Sequence, residues 1–310
     1  MARYLVTGGA GFIGSNIIEE LVKRKAHVIV LDSLITGNLE NIKPFRGKID
    51  FIKGDIRDKR VLKRALKGVD YVIHQAALRS VPKSVNDPFS TNDINISGTL
   101  NLLMESKKAG VKRMIYASSS SVYGDVNKFP QKETDLPKPI SPYGVSKLAA
   151  ENYCVTFART FGLETVSLRY FNVFGPRQNP ESKYSAVVPI FISNMSKGKS
   201  PVVEWDGKQS RDFIYVGDVV AANLNACLIK GISGEVFNVA CGSAISVMDI
   251  IDSVNKILMT NIKPVFAPKR SGDVRKTYAD NSRMIRLLKI AKPTKFEDGM
   301  KRTVEWFKHK

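Results

Sequence analysis

Short β-branched runs alternate with longer amphipathic stretches along the first half of the chain. The runs predict strands at residues 4–7, 28–31, 50–53, 71–75, 113–118 and 165–170. The stretches between them predict helices that begin near Phe12, Lys59, Asn92 and Tyr143. Because parallel strands need long crossover connections, this alternation predicts an α/β fold built on a doubly wound parallel sheet.

The pattern changes after about Asn172, where loops rich in proline, glycine and charge interrupt shorter elements. One apolar run at residues 235–240 predicts a strand that returns to the first sheet. A length of 310 residues suits two closely joined domains. We therefore expect a first domain at residues 1–172, which includes the returning strand. A smaller α/β domain at residues 173–310 is expected to be threaded with the first.

Composition and charge exclude several classes of protein. No apolar run approaches the ~18–20 residues that a membrane span needs, and a strand begins near the first residue. We therefore expect a cytoplasmic protein without a signal peptide. The three cysteines and three histidines lie far apart, which predicts free thiols and no metal site. The formal net charge is +19, but the basic residues are spread along the chain, so we expect no nucleic-acid partner.

Three spaced glycines connect the first predicted strand to the first predicted helix. Gly8, Gly11 and Gly14 allow the tight turn and the close approach of backbone that a pyrophosphate needs. The N-terminus of the helix offers unpaired N–H groups to the phosphates. The second predicted strand leads into Asp32, whose carboxylate is placed for a ribose hydroxyl and would repel the 2′-phosphate of NADP. The sequence thus predicts a Rossmann domain that binds NAD.

A tyrosine and a lysine lie four residues apart on another predicted helix. Tyr143 and Lys147 share a helix face, and Ser141 with a first-turn proline begins that helix. A nearby ammonium lowers the pKa of a tyrosine, which can then act as a base near neutral pH. Ser119 and Ser121 follow the fifth predicted strand, at the edge where parallel sheets bind their ligands. We expect these four side chains to form a proton-transfer site.

These residues together resemble the extended short-chain dehydrogenase/reductase superfamily. The closer similarity is to the nucleotide-sugar 4-epimerases of the UDP-glucose 4-epimerase family, and among them to the UDP-N-acetylglucosamine 4-epimerases. It extends from residue 1 to about residue 308. The segments that carry it are HQAALRSVPKSVNDP (74–88), SSSSVYGD (118–125), LRYFNVFGPRQNP (168–180), RDFIYVGD (211–218) and SGDVRKTYAD (271–280).

The resemblance implies an isomerase with tightly bound NAD. Tyr143 would remove the proton of the sugar's 4-hydroxyl while C4 gives hydride to NAD. The 4-keto sugar would then turn in the pocket, and hydride would return to its other face. Ser119 matches the catalytic serine, Ser121 a supporting hydroxyl, and Lys147 the activator of Tyr143.

The resemblance also implies positions that bind the cofactor and the substrate. The NAD positions are Gly8, Gly11, Phe12, Ile13, Gly14, Asp32, Asp55, Ile56, Ala76, Asn95, Lys147 and Tyr170. The UDP-sugar positions are Ser80, Asn172, Gln178, Ala186, Val187, Arg211, Arg270, Asp273 and Thr277. Among these, the two arginines are suited to a diphosphate. Residues 1–172 would then bind NAD and residues 173–310 the UDP-sugar.

A few positions bear on the choice of reaction and substrate. Related dehydratases and decarboxylases carry an acidic residue before Val-Tyr-Gly, where this chain has Ser121, and this favours epimerisation. The small side chain of Thr277 should leave room for a 2-acetamido group, whose amide Gln178 and Ser80 could hydrogen-bond. Arg79 replaces a glycine that is common in close relatives, and it could attract an acidic sugar.

We therefore expect reversible epimerisation of UDP-N-acetylglucosamine to UDP-N-acetylgalactosamine, with UDP-glucose and UDP-galactose as further candidate substrates. One alternative is a UDP-glucose or UDP-uronate 4-epimerase. Another, from a different class, is a non-catalytic nucleotide- or nucleic-acid-binding protein on the same fold. The resemblance also implies a homodimer formed through the helices at residues 92–107 and 143–160.

Overall fold

The structure is a computed structural model that describes residues 1–180, 187–269 and 275–309. Its strands are β1 (Arg3–Thr7), β2 (His27–Asp32), β3 (Asp50–Lys53), β4 (Tyr71–His74), β5 (Arg113–Ser119), β6 (Glu164–Tyr170), β7 (Asn172–Phe174), β8 (Val202–Glu204), β9 (Ser210–Arg211), β10 (Phe213–Tyr215), β11 (Glu235–Val239), β12 (Ile245–Ser246) and β13 (Val265–Ala267). Its α-helices are α1 (Phe12–Lys23), α2 (Lys59–Ala65), α3 (Val81–Asn86), α4 (Pro88–Asn92), α5 (Gly98–Lys108), α6 (Pro142–Thr156), α7 (Val187–Met195), α8 (Val216–Leu228), α9 (Val247–Leu258), α10 (Ser282–Leu287) and α11 (Phe296–Lys308).

The central sheet is parallel throughout and doubly wound, as the sequence predicts. Within the described ranges it contains seven strands in the order β11-β6-β5-β4-β1-β2-β3. The predicted returning strand is confirmed, since β11 pairs with β6. Strands β2 and β3 follow β1 on one side, whereas β4 lies on its other side, so the direction in which successive strands are added reverses between β1 and β4. Such a switch point opens a crevice at the carboxyl ends of the two strands. The glycine turn after β1 lies at this crevice.

Most predicted elements agree with the structure to within one or two residues, but the helix expected near Asn92 begins earlier. Asp87 accepts a hydrogen bond from the Ser90 N–H at 3.0 Å and caps α4, whose first residue is Pro88. A π-helical segment, Asp93–Ser97, then connects α4 to α5. The aspartate cap and the first-turn proline are local start signals that lie upstream of the predicted start.

Apolar side chains form a core on each face of the sheet and a further core in the second half of the chain. Ile17 of α1 and Val219 of α8 belong to the core on one face, and Leu102 of α5 to the core on the other. The further core surrounds Phe174 and Phe296. Thus α8 and β11 belong to the second half of the chain but pack with the first sheet. The division at residue 172 stays a prediction. No helix in the described ranges is long and apolar enough to cross a bilayer.

Candidate active site

The turn between β1 and α1 has no room for side chains at its glycines. Gly8 has φ +65°, and a Cβ there would lie 2.6 Å from the Ala76 backbone nitrogen. A Cβ at Gly14 would lie 2.3 Å from the Gly8 carbonyl oxygen. Gly11 caps α1 without any side-chain hydrogen bond, so the N-terminus of the helix faces the cleft with backbone groups alone. This backbone surface is suited to a pyrophosphate.

Asp32 lies at the end of β2 and is buried beside this turn. Its Oδ2 accepts a hydrogen bond from the Ala10 N–H at 2.9 Å, and its Oδ1 accepts one from the Leu34 N–H at 2.8 Å. Burial raises the pKa of this carboxyl, while the two backbone donors act in the opposite direction. The carboxylate is therefore held in place by the backbone of the glycine turn and of the loop after β2, at the position where a ribose hydroxyl is expected.

Most of the predicted NAD positions line one cleft of about 140 Å³. The glycine turn and Asp32 form one wall, and Ala76, at the carboxyl end of β4, forms another. Asp55 also lines the cleft, but its carboxylate pairs with Arg57 at 2.8 Å, which lowers the pKa of Asp55. The cleft residues predicted from the sequence are Gly8, Gly11, Phe12, Ile13, Gly14, Asp32, Asp55, Ile56 and Ala76. The glycine cradle, the open helix terminus and the carboxylate fit NAD.

Three other predicted NAD positions lie outside this cleft. The Tyr170 hydroxyl accepts hydrogen bonds from Gln75 at 2.9 Å and from Asn223 at 2.8 Å, and its ring lines a neighbouring, larger cavity. Asn95 is buried, and its side chain accepts a hydrogen bond from the Leu78 N–H at 2.8 Å and donates one to the Leu78 carbonyl at 3.0 Å. Lys147 is also buried. These side chains support the walls of the site, and their contact with NAD stays a prediction.

The predicted serine–tyrosine pair is brought together at the end of β5. Ser119 Oγ accepts a hydrogen bond from the Ser121 N–H at 3.1 Å and lies 3.2 Å from the Ser121 hydroxyl. The Ser119 side chain also lies close enough to Tyr143 to act on its pKa. The predicted cap of α6 is present, since Ser141 Oγ accepts from the Gly144 N–H at 3.1 Å. All three hydroxyls of Ser119, Ser121 and Tyr143 therefore face one cavity.

The electrostatics of Tyr143 and Lys147 bear on the expectation that Lys147 lowers the pKa of Tyr143. Burial raises the pKa of Tyr143, and the Ser119 hydroxyl and the Arg79 charge oppose that rise. Lys147 Nζ lies 5.9 Å from the Tyr143 ring centroid and donates to the Ala117 carbonyl at 2.8 Å. Burial also lowers the pKa of Lys147 to about 7. Burial is therefore the largest influence on the pKa of Tyr143, Lys147 Nζ binds the Ala117 carbonyl, and the activation of Tyr143 by Lys147 stays a prediction.

The larger cavity has a volume of about 640 Å³ and begins at Tyr143. Asn172, Gln178, Val187 and Arg211 line it, as the sequence predicts for a UDP-sugar site. In the described part of the chain, neither Ser80 nor Thr277 lines it. Ser80 Oγ instead accepts from the Lys83 N–H at 3.2 Å as the cap of α3, and the Thr277 N–H donates to the Ser210 carbonyl at 3.1 Å. The predicted positions Ala186, Arg270 and Asp273 lie outside the described residues.

Two residues near this cavity were not predicted from the sequence. Gln209 is buried and lines it, with Nε2 donating to the Glu204 carbonyl at 2.8 Å. Asp212 is fully buried, and burial raises its pKa to about 6. Its carboxylate accepts the N–H groups of Cys241 and Gly242 at 2.8 and 2.9 Å, which fixes the strand that follows Arg211. The sequence signal for Asp212 is its place in the segment RDFIYVGD (211–218), and Gln209 lies two residues before that segment.

Comparison with known proteins shows close relatives over nearly the whole chain. The model of the NAD dependent epimerase/dehydratase family matches residues 4–240. A putative UDP-glucose 4-epimerase of Methanocaldococcus jannaschii is 40% identical over 307 residues, which cover 98% of each chain. The structure of a UDP-N-acetylglucosamine 4-epimerase from Methanobrevibacter ruminantium, in complex with UDP-N-acetylmuramic acid, has a TM-score of 0.94 at 40% identity and covers 99% and 98% of the two chains.

A second solved structure is similarly close. The UDP-glucose 4-epimerase of Thermotoga maritima, with UDP-glucose, has a TM-score of 0.93 at 40% identity and covers 99% of each chain. The family match includes the glycine turn, Asp32, Ser119, Tyr143 and Lys147, the residues that form the site described above. This chain belongs to the NAD-dependent epimerase/dehydratase family, and NAD is its cofactor.

Proposed function

We propose that this enzyme interconverts UDP-N-acetylglucosamine and UDP-N-acetylgalactosamine by epimerisation at C4. It is an NAD-dependent UDP-sugar 4-epimerase. The observation that carries this proposal is the junction of the two cavities: Phe12, Ile13 and Arg79 line both of them. The junction puts the cofactor cleft in direct continuity with the hydroxyls of Ser119 and Tyr143. The larger cavity continues from there towards Arg211, a cation suited to a diphosphate.

The side chains at the junction are suited to move one proton. NAD, when bound, accepts and returns the hydride of the sugar's C4. The Tyr143 oxygen takes the proton of the 4-hydroxyl and returns it in the reverse half of the reaction. Ser119, whose side chain lies beside Tyr143, holds the reacting oxygen there. Burial raises the pKa of Tyr143 and so disfavours its phenolate, whereas the Ser119 hydroxyl and the Arg79 charge favour the phenolate.

Gln178 supports an acetamido sugar. Its side chain is 4% exposed and lines the cavity, and its Nε2 donates to the Val173 carbonyl at 3.2 Å. Among the described residues, its Oε1 has no hydrogen-bond partner. A buried acceptor without a partner is costly, and an amide N–H of the ligand would satisfy it. The M. ruminantium relative binds a UDP-sugar of this acetylated class.

Arg79 favours a second candidate, an acidic UDP-sugar. It lines both cavities, and its charge reaches Tyr143. A carboxylate on the sugar could form an ion pair with this guanidinium.

A panel of UDP-N-acetylglucosamine, UDP-glucose and UDP-glucuronate, incubated without added NAD and resolved by NMR, tests both candidates. The proposal expects UDP-N-acetylgalactosamine as the fastest product. Turnover of UDP-glucuronate alone would establish the second candidate, and salt-sensitive nucleic-acid affinity without any turnover would favour the non-catalytic class.

Replacing Thr277 by tyrosine is expected to separate acetylated from plain sugars. Among the described residues Thr277 does not line the larger cavity, but its N–H donates to the Ser210 carbonyl, next to Arg211, which does. A larger side chain at position 277 is therefore placed to extend into the cavity. A tyrosine ring would occupy the volume that a 2-acetamido group needs, so kcat/KM for UDP-N-acetylglucosamine should fall at least about tenfold, while that for UDP-glucose is kept. Thr277→Ser is the control and should keep both. Unchanged turnover of the acetylated sugar by T277Y would refute a role of Thr277 in sugar size.

We also propose a homodimer formed by α5 and α6. These two helices and the π-helical segment Phe157–Phe161 that follows α6 expose Met104, Val145, Tyr153 and Phe161, with exposed fractions of 36% to 50%. Apolar groups clustered on neighbouring helices are typical of an interface. Tyr153→Glu should produce a monomer in sedimentation velocity, because it buries a charge in that interface. Leu136→Glu, at a position 74% exposed elsewhere, should leave the dimer intact. A wild-type monomer would contradict the proposal.

A further inference from the structure

A buried histidine lies behind the junction of the two cavities and takes no part in the proposed proton transfer. His74 ends β4 and is 1% exposed. Its Nδ1 lies 2.6 Å from Thr7 Oγ1, and its Nε2 lies 2.9 Å from Thr99 Oγ1. Burial, with a smaller effect of the Lys147 charge, lowers the pKa of His74 to about 3. The ring is therefore neutral near neutral pH and has one donor and one acceptor.

The partners of these two threonines determine which nitrogen carries the proton. The Thr99 hydroxyl donates to the Asn95 carbonyl at 2.6 Å, so its oxygen must accept from His74 Nε2–H. His74 Nδ1 is then the acceptor, and the Thr7 hydroxyl donates to it. Thr7 Oγ1 in turn accepts from the Ala76 N–H at 3.3 Å. The result is a chain of hydrogen bonds with one direction, from Ala76 to Asn95.

The chain continues from Asn95 to the helix that carries Tyr143. Asn95 Nδ2 donates to the Ser146 hydroxyl at 2.9 Å, and that hydroxyl donates to the Tyr143 carbonyl at 2.8 Å. The π-helical segment Asp93–Ser97 lies where Asn95 turns into the interior, and such segments often occur at functional sites. Asn95 also holds the loop after β4 through both backbone groups of Leu78.

We propose that His74 is a positioning residue that fixes the dinucleotide turn and the helix of Tyr143 in one arrangement. On one side it reaches Thr7, the residue before Gly8. On the other it reaches Thr99 and Asn95. A fully satisfied buried network specifies a single arrangement of its members, whereas apolar packing tolerates several. This matters because a displacement of ~1 Å between reacting groups costs up to about 100-fold in rate. The kinetic part of this inference rests on the proposed epimerase function.

Thr99→Val tests the chain with a closely matched control. Valine keeps the shape of threonine and removes the hydroxyl between His74 and Asn95. Thr303 of α11 is also buried, and its hydroxyl also donates to the carbonyl four residues earlier, Gly299, at 2.6 Å. Thr303→Val thus removes the same kind of hydrogen bond from α11, outside the hydrogen-bond network of His74. We expect T99V to lower kcat about tenfold, to change the KM for the UDP-sugar less than about twofold, and to release NAD from the purified enzyme about tenfold faster. T303V should keep all three values.

Two further variants keep the test decisive if T99V folds poorly. Thr99→Ser restores the hydroxyl and should recover most of the kcat and the slow release of NAD. Ser146→Ala removes the hydrogen bonds that join Asn95 to the Tyr143 carbonyl, on a helix that tolerates alanine. It should lower kcat with little change in KM. Equal kcat and NAD release in T99V and T303V would overturn the proposal, as would a wild-type kcat in S146A. If the wild type turned over no UDP-sugar, the NAD release rates would still decide this question, because NAD binding does not depend on the sugar.

Discussion

Replacing Tyr143 by phenylalanine is expected to lower kcat about 10³-fold while bound NAD and the fold are kept. In the proposed reaction the Tyr143 oxygen takes the proton of the 4-hydroxyl, and Ser119 lies beside it in the same cavity. Phenylalanine keeps the ring at the cavity wall and removes only that oxygen. The measurement is kcat on the UDP-sugar that the wild type converts fastest, with the NAD content of each preparation determined by its absorbance.

Tyr71→Phe is the matched control for this variant. Tyr71 lies at the amino end of β4, stacks on Tyr4 at 5.2 Å between ring centroids, and lines neither cavity in the described residues. It should keep the wild-type kcat. A Y143F enzyme that retained more than about a tenth of the wild-type kcat would show that another group takes the proton.

Replacing Gly8 by alanine is expected to weaken NAD binding about 100-fold, or about 2.7 kcal/mol. The added Cβ would lie 2.6 Å from the Ala76 nitrogen, 2.8 Å from the Ala76 Cα and 2.8 Å from the Gln75 carbonyl carbon. All three are backbone atoms, so relief requires that β1 and β4 separate at the crevice where the cofactor binds. The Kd for NAD, measured by titration of each variant after removal of the cofactor, checks the expectation.

Gly110→Ala is the control that separates the steric clash at Gly8 from the conformational strain of alanine at positive φ. Gly8 has φ +65° and Gly110 has φ +70°, so alanine meets a similar conformational cost at both positions, about 1–2 kcal/mol. A Cβ at Gly110 has no atom within 4 Å. Gly110→Ala should therefore lose only the stability that the left-handed conformation costs and keep its NAD affinity, whereas G8A should lose more stability and also NAD affinity, because only its Cβ meets backbone atoms. Equal NAD affinity in the two variants would mean that the close approach to Ala76 does not shape the site.

The strands and helices of the first half were predictable because each follows from a local pattern. Runs of β-branched residues predict β1 to β6, and the glycines after β1 and the cap at Ser141 mark two helix starts. The start predicted near Asn92 is too late, because the N-cap Asp87 lies upstream of it. The residue types of the site were predictable for a similar reason, since Tyr143 and Lys147 lie within one helix and Ser119 at one strand end.

The electrostatic roles were less predictable than the residue types. Spacing alone suggested that the ammonium of Lys147 acts directly on Tyr143. In the fold, that ammonium donates to the Ala117 carbonyl of β5, and burial raises the pKa of Tyr143. Both effects depend on which strand packs beneath α6, and a helical pattern contains no information about that strand. Asp212 and Gln209 were missed for the same reason, since their burial follows from segments far along the chain.

By itself, the sequence determined the parallel α/β architecture, the glycine turn and the hydroxyl and amine groups of the site, because these depend on neighbours within about one helical turn or one strand. Only the tertiary structure decided that the two cavities meet at Phe12, Ile13 and Arg79. It also decided that His74 joins Thr7 to Thr99, residues 67 and 25 positions away from it. The adjacency of β1 and β4 creates both features, and strand order is fixed by the packing of the whole sheet, which local periodicity does not encode.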